Sequence, residues 1–190
     1  MVNRKMHMCC FTIVFLAFCL KSCLSYGFDH MVGTSRLVQI FVNNHYLQVT
    51  SDGLINGANY VNDNLLYSTT FKRFRTSNFT GIQNVATCMY VCLDRCGHLY
   101  TSKKLSRDCM FTETIEENNY TTFSRIDKKL KSYLAINRKG KPKKVQIFAN
   151  ETLGKFHRYA SILLNFVQDN YTNLICKKKK RLFRHRKCKF

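Results

Sequence analysis

Tyr46-Leu47-Gln48-Val49-Thr50-Ser51-Asp52-Gly53 alternates side chains as a strand with one buried face does, then runs into an Asp-Gly pair, a strong short hairpin signal. The pattern returns as Tyr90-Val91-Cys92-Leu93-Asp94-Arg95-Cys96-Gly97 and as Tyr133-Leu134-Ala135-Ile136-Asn137-Arg138-Lys139-Gly140. Each copy has a tyrosine, apolar residues at the next and third positions, and a glycine seven positions on. The glycines lie 44 and then 43 residues apart. A period of that length also suits a propeller or a solenoid. Three copies without a helical pattern fit better as three β units closed about a pseudo-threefold axis, because closure removes the exposed edges that all-β proteins must otherwise protect. Leu65-Leu66-Tyr67, Phe71-Lys72-Arg73-Phe74, Ile82 to Val85 and Ile162-Leu163-Leu164 are further strand candidates.

The chain has 190 residues, enough for one domain with flanking segments and a core of its own. Fifteen Phe, ten Tyr and a single Pro exclude a low-complexity or disordered chain. A net charge of +20 calls for a polyanionic partner: nucleic acid, anionic membrane or sulfated glycan. The N-terminus narrows that choice. Arg4 and Lys5 precede the apolar run Cys9 to Leu20, with Cys23 and Ser25 following, as in a secretory signal peptide cleaved near Ser25. The run is too short for a comfortable membrane span, the alternative reading. The expected organisation is therefore a signal peptide at 1–25, a short segment at 26–35, the β domain at 36–166 and a basic tail at 167–190. A secreted chain meets little nucleic acid and, once cleaved, has no stable membrane insertion, so a glycosaminoglycan on cell surfaces and matrix is the expected polyanion. Export also makes Asn78, Asn119, Asn150 and Asn170 acceptor sequons for N-glycosylation.

Signal cleavage leaves Cys88, Cys92, Cys96, Cys109, Cys176 and Cys188, which allow 15 pairings that sequence cannot separate. Cys88, Cys92 and Cys96 have helix-like spacing, and their even separation would also place them on one face of a strand. No CxxC pair or paired histidines accompany them, so disulfides or buried thiols are favoured over zinc, and no metal is expected. His30, His45, His98, His157 and His185 are scattered. No phosphate-binding loop, nucleophile elbow or HExxH motif is present, and Glu113, Glu116 and Glu117 lack the cleft that a pair of glycosidase carboxylates needs. The expectation is a protein that is not an enzyme and needs no cofactor.

Gly97 to Tyr120, GHLYTSKKLSRDCMFTETIEENNY, combines a turn, an alternating strand with Cys109, Phe111 and Glu113 on one face, and a polar loop at Glu116 to Tyr120. Gly97 with Leu99 and Tyr100, then Cys109-x-Phe111-x-Glu113, then Tyr120, resembles the signature of the fibroblast growth factors. Glu117 to Phe123 and Asn137 to Lys143 also resemble phrases of that family, and the likeness runs from about Arg36 to Phe166. The chain is similar to the fibroblast growth factors of insect viruses as well. The resemblance implies an all-β fold, a β-trefoil, in agreement with the threefold repeat. It further implies receptor contacts at Glu113, Asn118, Tyr120, Leu164 and Phe166 against the immunoglobulin-like domains of a fibroblast growth factor receptor. Tyr120 and Phe166 are the aromatic anchors of such an interface. The chain departs from the family at Val38, where tyrosine is usual, at Asn59, where arginine is usual, and at Asn165, where proline is common. A glycan on Asn119 would stand beside the proposed contacts.

Arg138-Lys139-Gly140-Lys141-Pro142-Lys143-Lys144 gathers five cations in one turn, and clustered cations bind a spaced polyanion by releasing its counterions together. By resemblance this turn is the heparan sulfate site, carried by Arg138, Lys143 and Lys144 with Asn43, Asn44 and Arg158 as neighbours. A second segment, Lys177 to Phe190, holds nine Lys or Arg and no acid, and reads as a disordered tail that adds glycan retention or is trimmed by basic-site proteases. The implied function is a secreted growth factor that, with heparan sulfate as co-ligand, activates a receptor tyrosine kinase and promotes proliferation or migration. The alternatives are a basic trefoil that binds glycan or matrix without activating a receptor and, less well supported, a trefoil protease inhibitor.

Overall fold

The computed structural model describes residues 37–76 and 78–167. The expected signal peptide, the segment 26–35, Asn170, Cys176, Cys188 and the lysine-arginine run lie outside the described residues. Twelve strands are described: β1 (Leu37–Val42), β2 (His45–Val49), β3 (Ile55–Ala58), β4 (Thr70–Thr76), β5 (Phe79–Asn84), β6 (Tyr90–Leu93), β7 (Leu99–Ser102), β8 (Met110–Ile115), β9 (Thr121–Asp127), β10 (Leu130–Tyr133), β11 (Gln146–Phe148) and β12 (Ile162–Phe166). Antiparallel pairing runs β1-β4-β5-β8-β9-β12 and returns to β1, which closes a six-stranded barrel. β2–β3, β6–β7 and β10–β11 form the three hairpins outside that ring. The fold is the expected β-trefoil.

The repeat read from the sequence is the core of this structure. Leu47, Val91 and Leu134 from the three hairpins are fully buried, and so are Val49, Leu93 and Ile136 two residues on. They pack with Val38, Ile40, Phe71, Ile82, Phe111, Phe123 and Ile162 from the barrel strands. Phe111 and Phe123 meet edge-to-face at 6.1 Å.

The three hairpin turns match at the level of single hydrogen bonds. Gly53, Gly97 and Gly140 donate to the carbonyls of Thr50, Asp94 and Asn137 at 2.9, 3.0 and 3.0 Å. Those same residues accept, through their side chains, the amides of Leu54, His98 and Lys141 at 3.1, 2.8 and 3.0 Å. The glycines have φ of +88°, +78° and +70°. This is a type I turn followed by a left-handed residue, a three-residue loop rather than the two-residue loop that an Asp-Gly pair suggests, and it makes glycine the recurrent letter.

Leu65-Leu66-Tyr67 is not a strand. It lies in a helix, Asp63–Thr69, because the Asn62 side chain accepts the Leu65 amide at 3.0 Å as an N-cap. The hydroxyls of Ser68, Thr69 and Thr70 bond back to the Leu65 and Leu66 carbonyls and end the helix at β4. The three closely spaced cysteines likewise do not share a strand face. Cys88 sits at φ 56° in the turn after β5, Cys92 lies within β6, and Cys96 lies in the second hairpin turn. Cys92 is bonded to Cys109, at a sequence separation of 17, and a loop of that length contributes about 3 kcal/mol to stability. Cys88 and Cys96 are also disulfide-bonded.

A polar network fastens the second hairpin to the third unit. The Tyr100 hydroxyl donates to Asp108 at 2.8 Å, Arg125 pairs with the other Asp108 oxygen at 2.9 Å, and Arg125 also donates to the Leu93 carbonyl at 3.3 Å. Burial, and then the adjacent Asp108 carboxylate, push the Tyr100 hydroxyl well above the usual tyrosine range.

Candidate binding surfaces

The topology separates the proposed site residues into two groups. β1 leaves the barrel at Val42 for the first hairpin, so that end of the barrel carries the hairpins. The β4–β5 turn, the β8–β9 turn and the Phe166 end of β12 lie at the other, open end.

At the open end, Glu113 is half-buried on β8, on the face that it shares with Phe111, whereas Cys109, expected on the same strand face, ends the short 3-10 turn Arg107–Cys109 before β8. Its carboxylate accepts from Arg73 on β4 at 2.6 Å and from the Thr80 hydroxyl on β5 at 2.9 Å. Two barrel strands therefore fix the position of a side chain on a third. Beyond it, Glu116 to Tyr120 forms the β8–β9 turn: Asn119 donates to the Glu116 carbonyl at 3.0 Å and Glu116 to the Tyr120 carbonyl at 2.8 Å. Asn119 has φ 65° and thus takes the place that glycine holds in the three hairpin turns. Asn118 caps the turn by accepting the Tyr120 amide at 3.1 Å. Asn118 and Asn119 are exposed, and Tyr120 is half-buried.

Thr121 at the start of β9 pairs with Ile162, and the antiparallel register carries Leu164 and Phe166 along β12 in the direction of this turn. The two differ in exposure. Leu164 packs against the main core, whereas Phe166, opposite the buried Val38, is 59% exposed. Asn59, Asn78 and Asn165 are exposed.

At the hairpin end, Asn43 and Asn44 form the two-residue β1–β2 turn with φ of 49° and 65°, as a type I′ turn requires. The Asn43 amide donates to the Ile136 carbonyl at 3.0 Å, and the Gly57 amide donates to the Gly140 carbonyl at 2.7 Å. These bonds bring the first hairpin against the basic turn of the third. The Asn137 side chain holds that turn through the amides of Lys139 and Lys141 at 2.8 and 3.0 Å. Arg138, Lys139, Lys141 and Lys144 are exposed and Lys143 half-buried.

Tyr159, which sequence reasoning missed, organises the rest. Its carbonyl accepts the Ile136 amide at 3.1 Å. Its ring has the Lys143 ammonium 4.6 Å and the Arg158 guanidinium 4.8 Å from its centroid. Each contact adds about 0.5–1 kcal/mol at an exposed site and keeps a cation in place without neutralising it. Among the described residues, no acidic side chain forms an ion pair with Arg138, Lys139, Lys141, Lys143, Lys144 or Arg158. The structure thus brings together Asn43, the basic turn and Arg158, which lie far apart in sequence.

Asp94, Cys96 and His98 place ligand-type atoms within 4.8 Å of one another. The Cys96 sulfur is in a disulfide, and Asp94 already accepts the His98 amide, so this cluster has no thiolate to offer a metal.

A family profile described as Fibroblast growth factor matches residues 36–153. The chain belongs to the fibroblast growth factor family. It is 43% identical over 162 residues to the fibroblast growth factor homolog of Autographa californica nuclear polyhedrosis virus, covering 84% of this chain and 87% of that relative. It is 37% identical over 164 residues to the homolog of Orgyia pseudotsugata multicapsid polyhedrosis virus, covering 84% and 76%. Human fibroblast growth factor 10 is 26% identical over 124 residues, 63% of this chain and 59% of that protein. Fibroblast growth factors are growth factors rather than enzymes. No helix among the described residues of this family member is long and apolar enough to cross a membrane.

Proposed function

We propose that this chain is a secreted growth factor that binds and activates a fibroblast growth factor receptor tyrosine kinase with heparan sulfate as co-ligand. The observation that carries the reading is the segregation of the two surfaces on a fibroblast growth factor fold. An amide and aromatic turn with a pinned Glu113 lies at one end of the barrel, and a cation cluster around Tyr159, without acidic partners among the described residues, lies at the other.

Glu113, Asn118, Tyr120 and Phe166 meet the receptor's immunoglobulin-like domains, with Leu164 supporting Phe166 from the core side. Arg138, Lys143, Lys144 and Arg158 bind sulfate groups along the glycan, flanked by exposed Asn44, while Asn43 holds the turn through Ile136. A glycan chain that spans ligand and receptor raises their local concentration, and the paired kinases then phosphorylate one another.

The test is receptor phosphorylation in cells displaying heparan sulfate, with Tyr120→Ala and with Lys143→Ala/Lys144→Ala compared with the native chain. Native protein is expected to give phosphorylation and both variants less. Folded native protein that elutes late from heparin yet gives no phosphorylation would instead leave a glycan-binding protein without receptor activity. The lysine pair should elute from heparin at clearly lower salt. An unchanged elution position would move the glycan site to the C-terminal basic run.

A further inference from the structure

Of the described sequons, Asn150-Glu151-Thr152 has a setting that the others lack. β11 ends at Phe148, two residues before the acceptor, and the chain turns at once: the Glu151 amide donates to the Phe148 carbonyl at 3.0 Å. Glu151 also accepts the Phe148 amide through its carboxylate at 3.3 Å. Lys128, Lys129, Phe148, Ala149, Asn150 and Glu151 line one open groove. Its floor is held by the Ala149 amide bonded to the Lys129 carbonyl at 2.9 Å and by the pairing of Phe148 with Leu130. Phe148 is 54% exposed on a strand that, among the described residues, pairs with β10 alone. Asn150 and Thr152 are exposed, as an acceptor amide and its hydroxyl partner must be. Asn78 and Asn119 have Thr76 and Glu117 at the corresponding upstream position, and neither supplies an aromatic face.

We propose that Asn150 carries an N-linked glycan whose first N-acetylglucosamine packs on the exposed Phe148 ring, within the groove walled by Lys128, Lys129 and Glu151. In attachment, the Asn150 carboxamide nitrogen bonds to C1 of a lipid-pyrophosphate-linked oligosaccharide. The C1–O bond breaks, the lipid pyrophosphate leaves with the electron pair, and the amide gives up one proton. The β-linked sugar then presents its axial C–H bonds on one face, and that face suits the electron-rich face of a phenyl ring. Packing it there removes from water an aromatic surface that the fold otherwise leaves bare. Lys128 and Lys129 bring donors for the sugar's oxygens to the same groove. The site lies at the opposite end of the β10–β11 hairpin from the basic turn, so a glycan here leaves the cation cluster open. This inference rests on the secretory reading above.

The full chain is expressed in insect cells in two forms, one with its own leader and one with residues 1–25 replaced by an established signal peptide. Occupancy is read at each sequon by peptide mass spectrometry with and without an N-glycosidase. Asn150 is expected to be occupied. Phe148→Ala is expected to lower Tm by about 2–4 °C more in glycosylated protein than in an Asn150→Gln background. A bare Asn150 in secreted protein, whether or not other sequons are occupied, overturns the site. An occupied Asn150 with equal Tm losses in both backgrounds overturns the stacking. If only the leader-substituted form is secreted, the native leader reading fails while the Asn150 result from the second form still decides the proposal.

Discussion

The open end of the barrel and the basic turn both rely on polar side chains, yet they hold them in opposite ways. Glu113 is neutralised by Arg73 and held by the Thr80 hydroxyl, so its charge sets geometry more than it attracts from a distance. The cations of the basic turn are fixed by backbone bonds and by the Tyr159 ring, neither of which cancels their charge. A folded partner with one fixed shape suits the first arrangement. A polymer whose sulfates can slide suits the second.

The sharpest way to break the contrast is Arg73→Ala. It leaves a half-buried carboxylate short of its charged donor and should cost about 2 kcal/mol in urea unfolding while heparin elution stays in place. Lower heparin affinity in that variant would mean that the two ends are coupled. Gly140→Ala should do the converse. A Cβ there meets the Gly57 carbonyl at 2.8 Å in a φ +70° backbone, so a loss of about 1 kcal/mol and earlier heparin elution are expected. Tyr159→Leu keeps the bulk but removes the ring face between Lys143 and Arg158. About 0.5 kcal/mol of stability should go, with a smaller elution shift than the lysine double variant gives. The mildest change is Asn119→Gly, which puts glycine where the three hairpin turns already have it. It should leave stability within a few tenths of a kcal/mol of the native chain or raise it, while abolishing that sequon. If receptor phosphorylation rises in that variant, a sugar on Asn119 was obstructing the open end.

Much of this fold is legible in the sequence because strand periodicity and glycine turns are local signals. Leu47, Val91 and Leu134 are found by counting from a tyrosine to a glycine. The helix at Asp63–Thr69 was hidden because Leu65-Leu66-Tyr67 is too short to show a period, although Asn62 in front of it was a readable cap. The proposed binding residues are named through resemblance, but what positions them is long-range. Arg73 lies forty residues from Glu113, and Tyr159 becomes a shared platform only once the third hairpin folds back on it. No spacing rule records such contacts.

The ring of six strands has a consequence in time. β1, at the start of the domain, is flanked in the finished barrel by β12, at its end. The barrel cannot close until Phe166 has left the ribosome, and until then β1 and β9 each present an unpaired edge. A chain cut short before Ile162 would keep two of its three trefoil units and still remain open along one seam.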